Sequence, residues 1–527
     1  MIRPEVIALV IGVIALAIPV SLALVAMTSP RHAAMASSAS LGLALLFNAT
    51  AGVAPHASRA AAASLGVRVD LVTCVMLLLV SGIGLVIVRY SRTYLEGEPG
   101  LPRYLRWLLM TLSAVTALVL ANNLLVLALA WTATSLALHQ LLTFYPDRAA
   151  ALVAAHKKFL VSRLADLSLV GCVALVYLNV GSLELDAIES WVGAHPGLTP
   201  QMHVASLLVV FAVVLKSAQL PFHGWLIQVM EAPTPVSALL HAGVVNIGGF
   251  VLIRLAPWMA HAEFAQCTLV IIGLASAITA PLVMTTRVSI KVALAWSTCA
   301  QMGFMLVQCG LGLWHLALLH LVAHSLYKAH AFLSAGTAVD SWRVQAHSKP
   351  SPVPTLTRLG LASALAVGSA VLGVSLLWAS EWAPRREFSV PVLAGLVALS
   401  MVPVIARPST GFRATAHLVA RGASITALYV GWHMAAERLV PTPLVDSSLL
   451  AWALVALGFI ALFVLKTALQ SFPAGPLARA LHPWLFAGLY LDEVFTRLTF
   501  RVWPLRSGRP SASDFPSSLP ARVEVGT

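Results

Sequence analysis

Charged residues are scarce in this sequence, and acidic residues are the scarcest. Asp, Glu, Lys and Arg make up 10% of the 527 residues, whereas a soluble domain carries about 25%. There are 20 acidic residues against 33 Lys and Arg, so the formal net charge is +13. No basic stripe with interleaved aromatic residues is present, which argues against nucleic acid as a partner. No large soluble domain is predicted, so an active site outside a membrane would belong to another protein.

Cysteine is also rare, and its pattern argues against two kinds of site. The five cysteines lie in or at the ends of apolar runs and form no CxxC pair, so neither a disulfide framework nor a cysteine metal site is indicated. Apolar residues are abundant instead, at 59% of the chain. Continuous apolar runs of about 20 residues recur, which is the length that crosses a bilayer as a helix. Strands of a β-barrel would alternate apolar and polar residues, and these runs do not.

The apolar runs predict an all-α, polytopic membrane protein of about 14–15 transmembrane helices, with a broken helix near 204–230. The first run, 6–27, is too long for the apolar core of a signal peptide. Lys and Arg, with Lys157 and Lys158 counted among them, gather in alternate loops, and the positive-inside rule then places the N-terminus outside. The predicted spans are 6–27, 34–54, 71–90, 104–121, 123–143, 150–178, 204–230, 234–258, 263–285, 289–309, 312–338, 357–379, 389–406, 412–436 and 448–470.

A lysine and a proline interrupt the seventh predicted span. Lys216 lies about twelve residues into the apolar sequence, where a charge costs at least about 2.5–3.5 kcal/mol, so we interpret it as a functional residue rather than one that reaches the membrane surface. Pro221 removes a backbone donor and breaks the helix, and Pro233 and Pro235 mark a loop before the next helix. His241, inside that helix, either hydrogen-bonds within the bundle or relays protons.

Asp166 lies inside the predicted span 150–178 and is a candidate counter-ion. It either neutralises Arg163, three residues earlier on the same helix, or pairs with Lys216. An opposite charge keeps a buried lysine protonated, and loss of that charge lets burial favour the neutral amine. Switching the pair would therefore move a proton, and this is the chemistry that we predict. His139 is the alternative partner for the lysine.

A second polar cluster lies in the predicted span 312–338. His320, His324 and Lys328 are spaced at i, i+4 and i+8, so they share one helical face. Two histidines at this spacing can bind zinc, but a third ligand and the glutamate of a zinc protease are lacking. We interpret the stripe as part of a proton or ion path, with structural packing as the alternative. Lys291, at the start of the preceding span, either extends to the membrane surface or belongs to the same path.

Four motifs carry a family resemblance. They are Lys216-Ser-Ala-Gln-Leu-Pro-Phe-His-Gly-Trp, Pro233-Thr-Pro235-Val-Ser-Ala-Leu-Leu-His241-Ala, Lys291-Val-Ala-Leu-Ala-Trp-Ser-Thr and His320-Leu-Val-Ala-His324-Ser-Leu-Tyr-Lys328. They resemble the antiporter-like subunits of respiratory complex I and the Mrp cation/proton antiporters, over roughly residues 65–340. The resemblance implies two inverted five-helix repeats and a switching lysine at Lys216. It also implies a polar axis along the membrane midplane, lined by His241, Lys291, His320, His324 and Lys328.

One departure narrows the resemblance. The complex I subunits carry a Trp-Glu pair in their fifth helix, where this sequence reads Trp131-Thr132 and has no acid. Another group must then balance Lys216, and Asp166 is the candidate. Four stretches instead resemble the DabB family, the membrane subunit of a two-component complex that accumulates inorganic carbon in bacteria. These stretches are 131–145, 156–163, 241–250 and 490–500.

The narrower resemblance implies a function and a partner. The chain would lie in the bacterial inner membrane, with a periplasmic N-terminus, as a transporter subunit that is not itself an enzyme and has no cofactor. Its partners would be the lipid bilayer and a DabA-like protein with a zinc site similar to that of a β-carbonic anhydrase. Ion flow, of protons rather than Na⁺ in the preferred interpretation, would drive that partner to hydrate CO2 to bicarbonate.

Two alternatives stay open. One is a proton-pumping subunit of a complex I-like NADH-quinone oxidoreductase or an Mrp antiporter. The other, from a different class, is a membrane-embedded metalloenzyme that uses His320 and His324. The predicted segments are N-terminal helices 1–90, a first antiporter-like repeat 91–258, a second divergent repeat 259–406, C-terminal helices 407–475, and a partly disordered or partner-bound tail 476–527.

Overall fold

The computed structural model is helical throughout the residues it describes. These are 4–53, 65–195, 197–337, 356–378, 389–406 and 448–503, with isolated positions 343, 416, 420, 423, 424, 427, 428 and 431. They contain no β-strand beyond two isolated bridges. The helices are α1 (Pro4–Thr28), α2 (Ala33–Val53), α3 (Leu71–Tyr94), α4 (Leu101–Leu120), α5 (Leu124–Leu142), α6 (Ala149–Val180), α7 (Leu185–Ala194), α8 (Pro200–Lys216), α9 (Gly224–Gln228), α10 (Thr234–Ala242), α11 (Ile247–Arg254), α12 (Ala256–Met259), α13 (Glu263–Met284), α14 (Ile290–Gly310), α15 (Trp314–Leu333), α16 (Leu356–Trp378), α17 (Ser389–Ile405), α18 (Leu449–Ser471), α19 (Pro476–Phe486) and α20 (Leu491–Val502).

The predicted fold class, an all-α polytopic membrane protein, is confirmed. Within the described residues, ten helical segments are long and apolar enough to cross a membrane, and α8, α16 and α17 contain shorter apolar helices. Four histidines and one lysine make α15, which has 20 residues, more polar than those spans. The predicted span 412–436 lies outside the described residues, apart from isolated positions.

The segment formed by α10 and α11 lies at the centre of the helix bundle. In Thr234–Arg254 every residue except Gly243 is buried, whereas in Leu449–Ser471 only Trp452 and Val455 are buried. α10 packs against α15, and α11 packs against α8, α14 and α15. Polar groups on this segment therefore face protein rather than lipid, where each can find a partner.

Glycine lets α13 and α14 approach closely. A Cβ on Gly273 would lie 2.6 Å from the Gly303 carbonyl oxygen, and a Cβ on Gly303 would lie 2.7 Å from the Gly273 carbonyl oxygen. Small residues at a helix contact let two backbones approach within a membrane. The contact fixes α14, which carries several of the polar groups described below.

Two central helices are interrupted at neighbouring positions. α8 ends at Lys216, and the chain turns through a loop, in which Ala218 has a φ of +51°, before α9 begins. Between α10 and α11 the backbone forms a 3-10 turn over Val244–Asn246. The Ser217 hydroxyl donates a hydrogen bond to the Val245 carbonyl oxygen at 3.1 Å. The two interruptions are therefore joined directly.

An ion-pair network joins α11, α3 and α7 at one end of the bundle. Arg254, the last residue of α11, pairs with Asp70, the N-cap of α3, and donates to the Thr73 hydroxyl at 2.7 Å. Burial alone would raise the pKa of Asp70, but Arg254, the Thr73 amide and Arg68 hold that pKa well below its usual range. Arg68 also lies 3.2 Å from Asp186 of α7.

The C-terminal residues that the structure describes fold against the bundle. Asp492 of α20 pairs with Lys157 of α6 at 2.8 Å and accepts a hydrogen bond from Gln228 of α9 at 2.6 Å. Part of the predicted tail, residues 476–502, is thus mainly helical and contacts the short helix that follows the first interruption. Residues 504–527 lie outside the described residues.

Candidate ion path

Lys216 stands at the first interruption, as the last residue of α8, with a side chain that is 5% exposed. Its Nζ lies 2.7 Å from Asp166 Oδ1 of α6, so the predicted contact between the two residues is present. The carboxyl end of a helix carries a partial negative charge, which also favours an ammonium group there. The Nζ makes no hydrogen bond of good geometry to a described residue, so the ion pair is its main polar contact.

Asp166 is shared among several side chains. Arg163 Nη2 lies 2.6 Å from Oδ2, and the Thr132 hydroxyl donates to Oδ1 at 2.9 Å. Both pairings considered from the sequence therefore occur together. The Lys216 Nζ also lies 4.6 Å from the Trp131 ring centroid, a cation–π contact. Thr132, at the place where the complex I subunits carry an acid, thus orients the carboxylate that faces the lysine.

Asp166 is isolated among the acidic residues. In the ten spanning segments that the structure describes, Asp and Glu occur only at Asp166 and at Glu263, the first residue of α13. Asp166 lies in the middle of α6, whereas Glu263 is at a helix end. Within the described spans, Asp166 is therefore the one carboxylate that can balance a cation deep in the bundle.

Lys157 and Lys158, expected among the loop cations, are instead buried in α6. Their exposed fractions are 2% and 3%. The reason is the length of α6, which begins at Ala149, so both residues lie more than two turns inside it. Lys157 pairs with Asp492, whereas Lys158 Nζ donates to the carbonyl and hydroxyl oxygens of Ser135 at 2.5 and 2.8 Å.

His139 lies beside Lys158 rather than against Lys216. Its ring centroid is 5.2 Å from that of Phe159. The charges that act on it are those of Lys158, His156 and Arg163. The geometry therefore favours Asp166 over His139 as the partner of Lys216.

A second polar cluster lies between α10, α14 and α15. His241 Nδ1 is 3.0 Å from the Thr298 hydroxyl oxygen. Lys328 is fully buried, and its Nζ donates to the Leu294 carbonyl oxygen at 3.0 Å and to the Ser297 hydroxyl. His241 and Lys328 are near enough for their charges to interact. The structure therefore brings these two predicted path residues together.

His320 and His324 of α15 extend this cluster along one helical face. His320 Nδ1 is 2.9 Å from Gln308 Oε1, and the ring centroids of His320 and His324 are 6.1 Å apart. Both ring nitrogens of His324 are buried without a hydrogen bond to a described residue, which suits a group that exchanges protons. Within the described part of the chain, no three His, Cys, Asp or Glu residues are grouped so that they could hold a metal ion.

Lys291 and the three prolines flank the interruptions. Lys291 Nζ donates to the Thr234 hydroxyl at 3.0 Å, so this lysine contacts the start of α10. Pro221 lies in the loop between α8 and α9, as predicted. Pro233 is the residue before α10, and Pro235 lies in its first turn.

The interruption between α10 and α11 was not predicted. The sequence carries a signal for it, since Gly243, Gly248 and Gly249 fall within one apolar run and glycine weakens a helix. A Cβ on Gly248 would lie 2.1 Å from Ser217 Oγ. Glycine at this position is therefore what lets the two interruptions meet.

Comparisons with known proteins identify related chains. The family described as "NADH:quinone oxidoreductase/Mrp antiporter, TM" matches residues 121–351. The family described as "NADH-Ubiquinone oxidoreductase (complex I), chain 5 N-terminus" matches residues 57–105. The solved structure of the Mrp complex from Dietzia sp. contains a chain with a similar fold, at a TM-score of 0.53 and 23% identity, over 95% of this chain and 56% of that one.

Individual relatives give a finer comparison. The probable inorganic carbon transporter subunit DabB of Hydrogenovibrio crunogenus is 40% identical over 84% of this chain and 84% of its own. The subunit DabB2 of Halothiobacillus neapolitanus is 38% identical over 94% of this chain and 95% of its own. NADH-quinone oxidoreductase subunit L of Mycobacterium tuberculosis is 30% identical over 69% of this chain and 56% of its own.

Proposed function

This chain belongs to the DabB family of inorganic carbon transporter subunits, and from that premise we propose how it works. It is a multi-pass membrane protein of the antiporter-like family. We infer that it conducts protons along its buried charged side chains, and that this flow energises inorganic carbon uptake. The observation that carries the proposal is the Lys216–Asp166 ion pair at the first interruption.

In this proposal the interruption lets Lys216 change its distance from Asp166. When the two are close, the carboxylate stabilises the ammonium form of the lysine. When they separate, burial favours the neutral amine, and the proton leaves for another acceptor. A helix end that continues into a loop supports such a movement, because loop residues absorb changes in backbone angle. The interruption thus gives one lysine both a buried position and room to move.

The second cluster supplies the next acceptors in the proposed path. His241 Nε2 and both ring nitrogens of His324 are buried without a hydrogen bond to a described residue. Lys328 and His320 lie on the same face of α15, one turn to each side of His324. We propose that protons cross this group after leaving Lys216, with Lys291 at its edge beside the start of α10.

The flow is proposed to act on a partner protein. We propose a DabA-like subunit with a zinc site, which hydrates CO2 to bicarbonate when ions move through this chain. Support comes from the relatives, which are named as subunits of an inorganic carbon transporter. This chain would then be a non-enzymatic subunit without a cofactor of its own, in the bacterial inner membrane with its N-terminus in the periplasm.

A complex I-like or Mrp-like assembly is the second candidate. It is favoured by the family match over residues 121–351, which both groups share. The extent of similarity favours the first candidate, since the DabB relatives align over 84% and 94% of this chain and subunit L over 69%. Thr132, in place of the expected acid, is a further departure from the complex I pattern.

Lys216→Ala tests the proposed function. Cells that contain the variant and its native partner would be grown in air without added CO2, and proton uptake would be measured in their membrane vesicles. We expect growth and uptake to be lost while the complex still assembles. Lys466→Ala, in the peripheral helix α18, is the matched control and is expected to grow normally. Normal growth of Lys216→Ala would refute the proposal, and quinone-linked subunits in the purified complex would favour the second candidate.

A further inference from the structure

Lys158 is a buried amine that the Lys216–Asp166 switch does not use. It is 3% exposed, and among the described residues its Nζ donates only to oxygens of Ser135, which are neutral acceptors. The adjacent Lys157 is equally buried but pairs with Asp492 at 2.8 Å. A buried ammonium group without a carboxylate is costly, and such a group tends to lose its proton instead. The two neighbouring lysines thus differ in whether they have a counter-ion.

The charged groups around Lys158 are unbalanced. They are Lys216 of α8, Arg163 and Asp166 of α6, and His139 of α5. Asp166 is the one carboxylate among them, and it already contacts Arg163 and Lys216. Three cationic side chains and a titratable histidine therefore share one anion in a buried setting. This arrangement favours a state in which either Lys158 or Lys216 is neutral.

Lys158 and Asp166 lie on one polar stripe of α6. Lys158, Ser162 and Asp166 are at i, i+4 and i+8, and Ser162 is also buried. The stripe spans eight residues, or about 12 Å along the helix, and Lys158 lies toward the N-terminal end of α6. On α5, Ser135 and Thr132 contact Lys158 and Asp166 respectively, one turn apart. Polar groups thus connect the two positions on both helices.

We propose that Lys158 is a second proton-holding residue of the ion path, between the N-terminal end of α6 and Lys216. The inference rests on the proposed function, since it adds an earlier step to the same path. A hydronium ion from the aqueous phase gives its proton to the neutral Lys158 amine and leaves as water. The proton then passes to the neutral Lys216 amine, so that Lys158 is neutral again and the new Lys216 ammonium pairs with Asp166. No other reactant takes part.

Proton uptake by vesicles that contain the full chain and its native partners, followed with a pH-sensitive dye, tests this step. Lys158→Arg is the decisive variant, because a guanidinium keeps the charge and the hydrogen bonds but does not release its proton. We expect at least about a tenfold loss of flux in Lys158→Arg and in Lys158→Met. Lys157→Arg keeps the pair with Asp492, so this matched control is expected to resemble wild type.

A histidine variant separates proton transfer from a structural role. Lys158→His is expected to recover part of the flux with an optimum at lower pH, because histidine titrates near pH 6.5. Wild-type flux in Lys158→Arg would overturn the inference and leave the role of Lys216 intact. The inference also fails if Lys158→His shows the wild-type pH profile. If wild type and Lys216→Ala show equal flux, the proposed function fails and this step fails with it.

Discussion

Replacing Asp166 with asparagine changes one charge in the middle of α6 and little else. Asparagine has the shape of aspartate, and its carbonyl oxygen can still accept the hydrogen bond from Thr132. The side chains of Asp166 and Lys216 are 14% and 5% exposed, so water cannot readily replace the lost carboxylate. Asp166→Asn therefore leaves the Lys216 and Arg163 cations without an anionic partner among the described residues of the spans.

The size of the effect follows from the separation of the charges. At 2.7 Å, two unit charges in an effective dielectric of about 20 attract by about 6 kcal/mol. Desolvation offsets part of this, and removing one partner of a buried ion pair costs about 3–5 kcal/mol in practice. Because about 1.4 kcal/mol corresponds to a tenfold change in an equilibrium constant, the ratio of protonated to neutral Lys216 falls by at least about a hundredfold. We expect proton flux to fall by about ten- to a hundredfold.

The assay combines flux with stability. Proton uptake would be measured in vesicles, and thermal unfolding in the detergent-purified chain, for Asp166→Asn, Lys216→Met and the double variant. We expect the double variant to be more stable than the single Asp166→Asn variant, because it removes both charges of the pair. Glu263→Gln, at the start of α13, is the control and should resemble wild type. Wild-type flux and stability in Asp166→Asn would refute the assignment of this residue as the counter-ion.

Two further predictions concern the contacts that hold the interruptions in place. Gly248→Ala is expected to destabilise the protein by about 1–3 kcal/mol, because its Cβ would lie 2.1 Å from Ser217 Oγ. The control Gly82→Ala places its Cβ where nothing lies within 4 Å, so it should be neutral. Equal thermal unfolding of the two variants would contradict the close approach at Gly248. Asp492→Asn removes the ion-pair partner of the buried Lys157, so protease cleavage of the C-terminal helices should increase. The control Glu493→Gln breaks an exposed ion pair and should change cleavage little. Equal cleavage in both variants would show that α20 is held by other contacts.

The sequence predicted the helices and the central ion pair for physical reasons. Continuous apolar runs of spanning length have few alternatives in a membrane, because every backbone group must be satisfied internally. Lys216 and Asp166 were recognisable because charges are so rare inside these runs. Which of its two cations Asp166 would contact depended on helix packing, and the structure shows that it contacts both.

Other features were missed because their signals are weak or depend on distant residues. Lys158 lies within the predicted span 150–178, yet it was counted with the loop cations because a histidine and another lysine precede it, and this count hid its burial in α6. The partner of Lys157 is Asp492, 335 residues later, and no local pattern predicts such a pairing. The interruption after α10 was overlooked because its glycines lie within a strongly apolar run, where hydropathy favours a continuous helix.

The hydrogen bond between Ser217 and Val245 has a consequence for timing. Ser217 directly follows Lys216 at the first interruption, and Val245 lies four residues beyond His241. A shift of the chain at Lys216 would therefore be transmitted through this bond to the backbone beside the second cluster, although the two sets of ionisable groups lie on different helices. In the proposed path this hydrogen bond would couple proton loading at Lys216 to proton release at the second cluster, and we expect neither group to work alone.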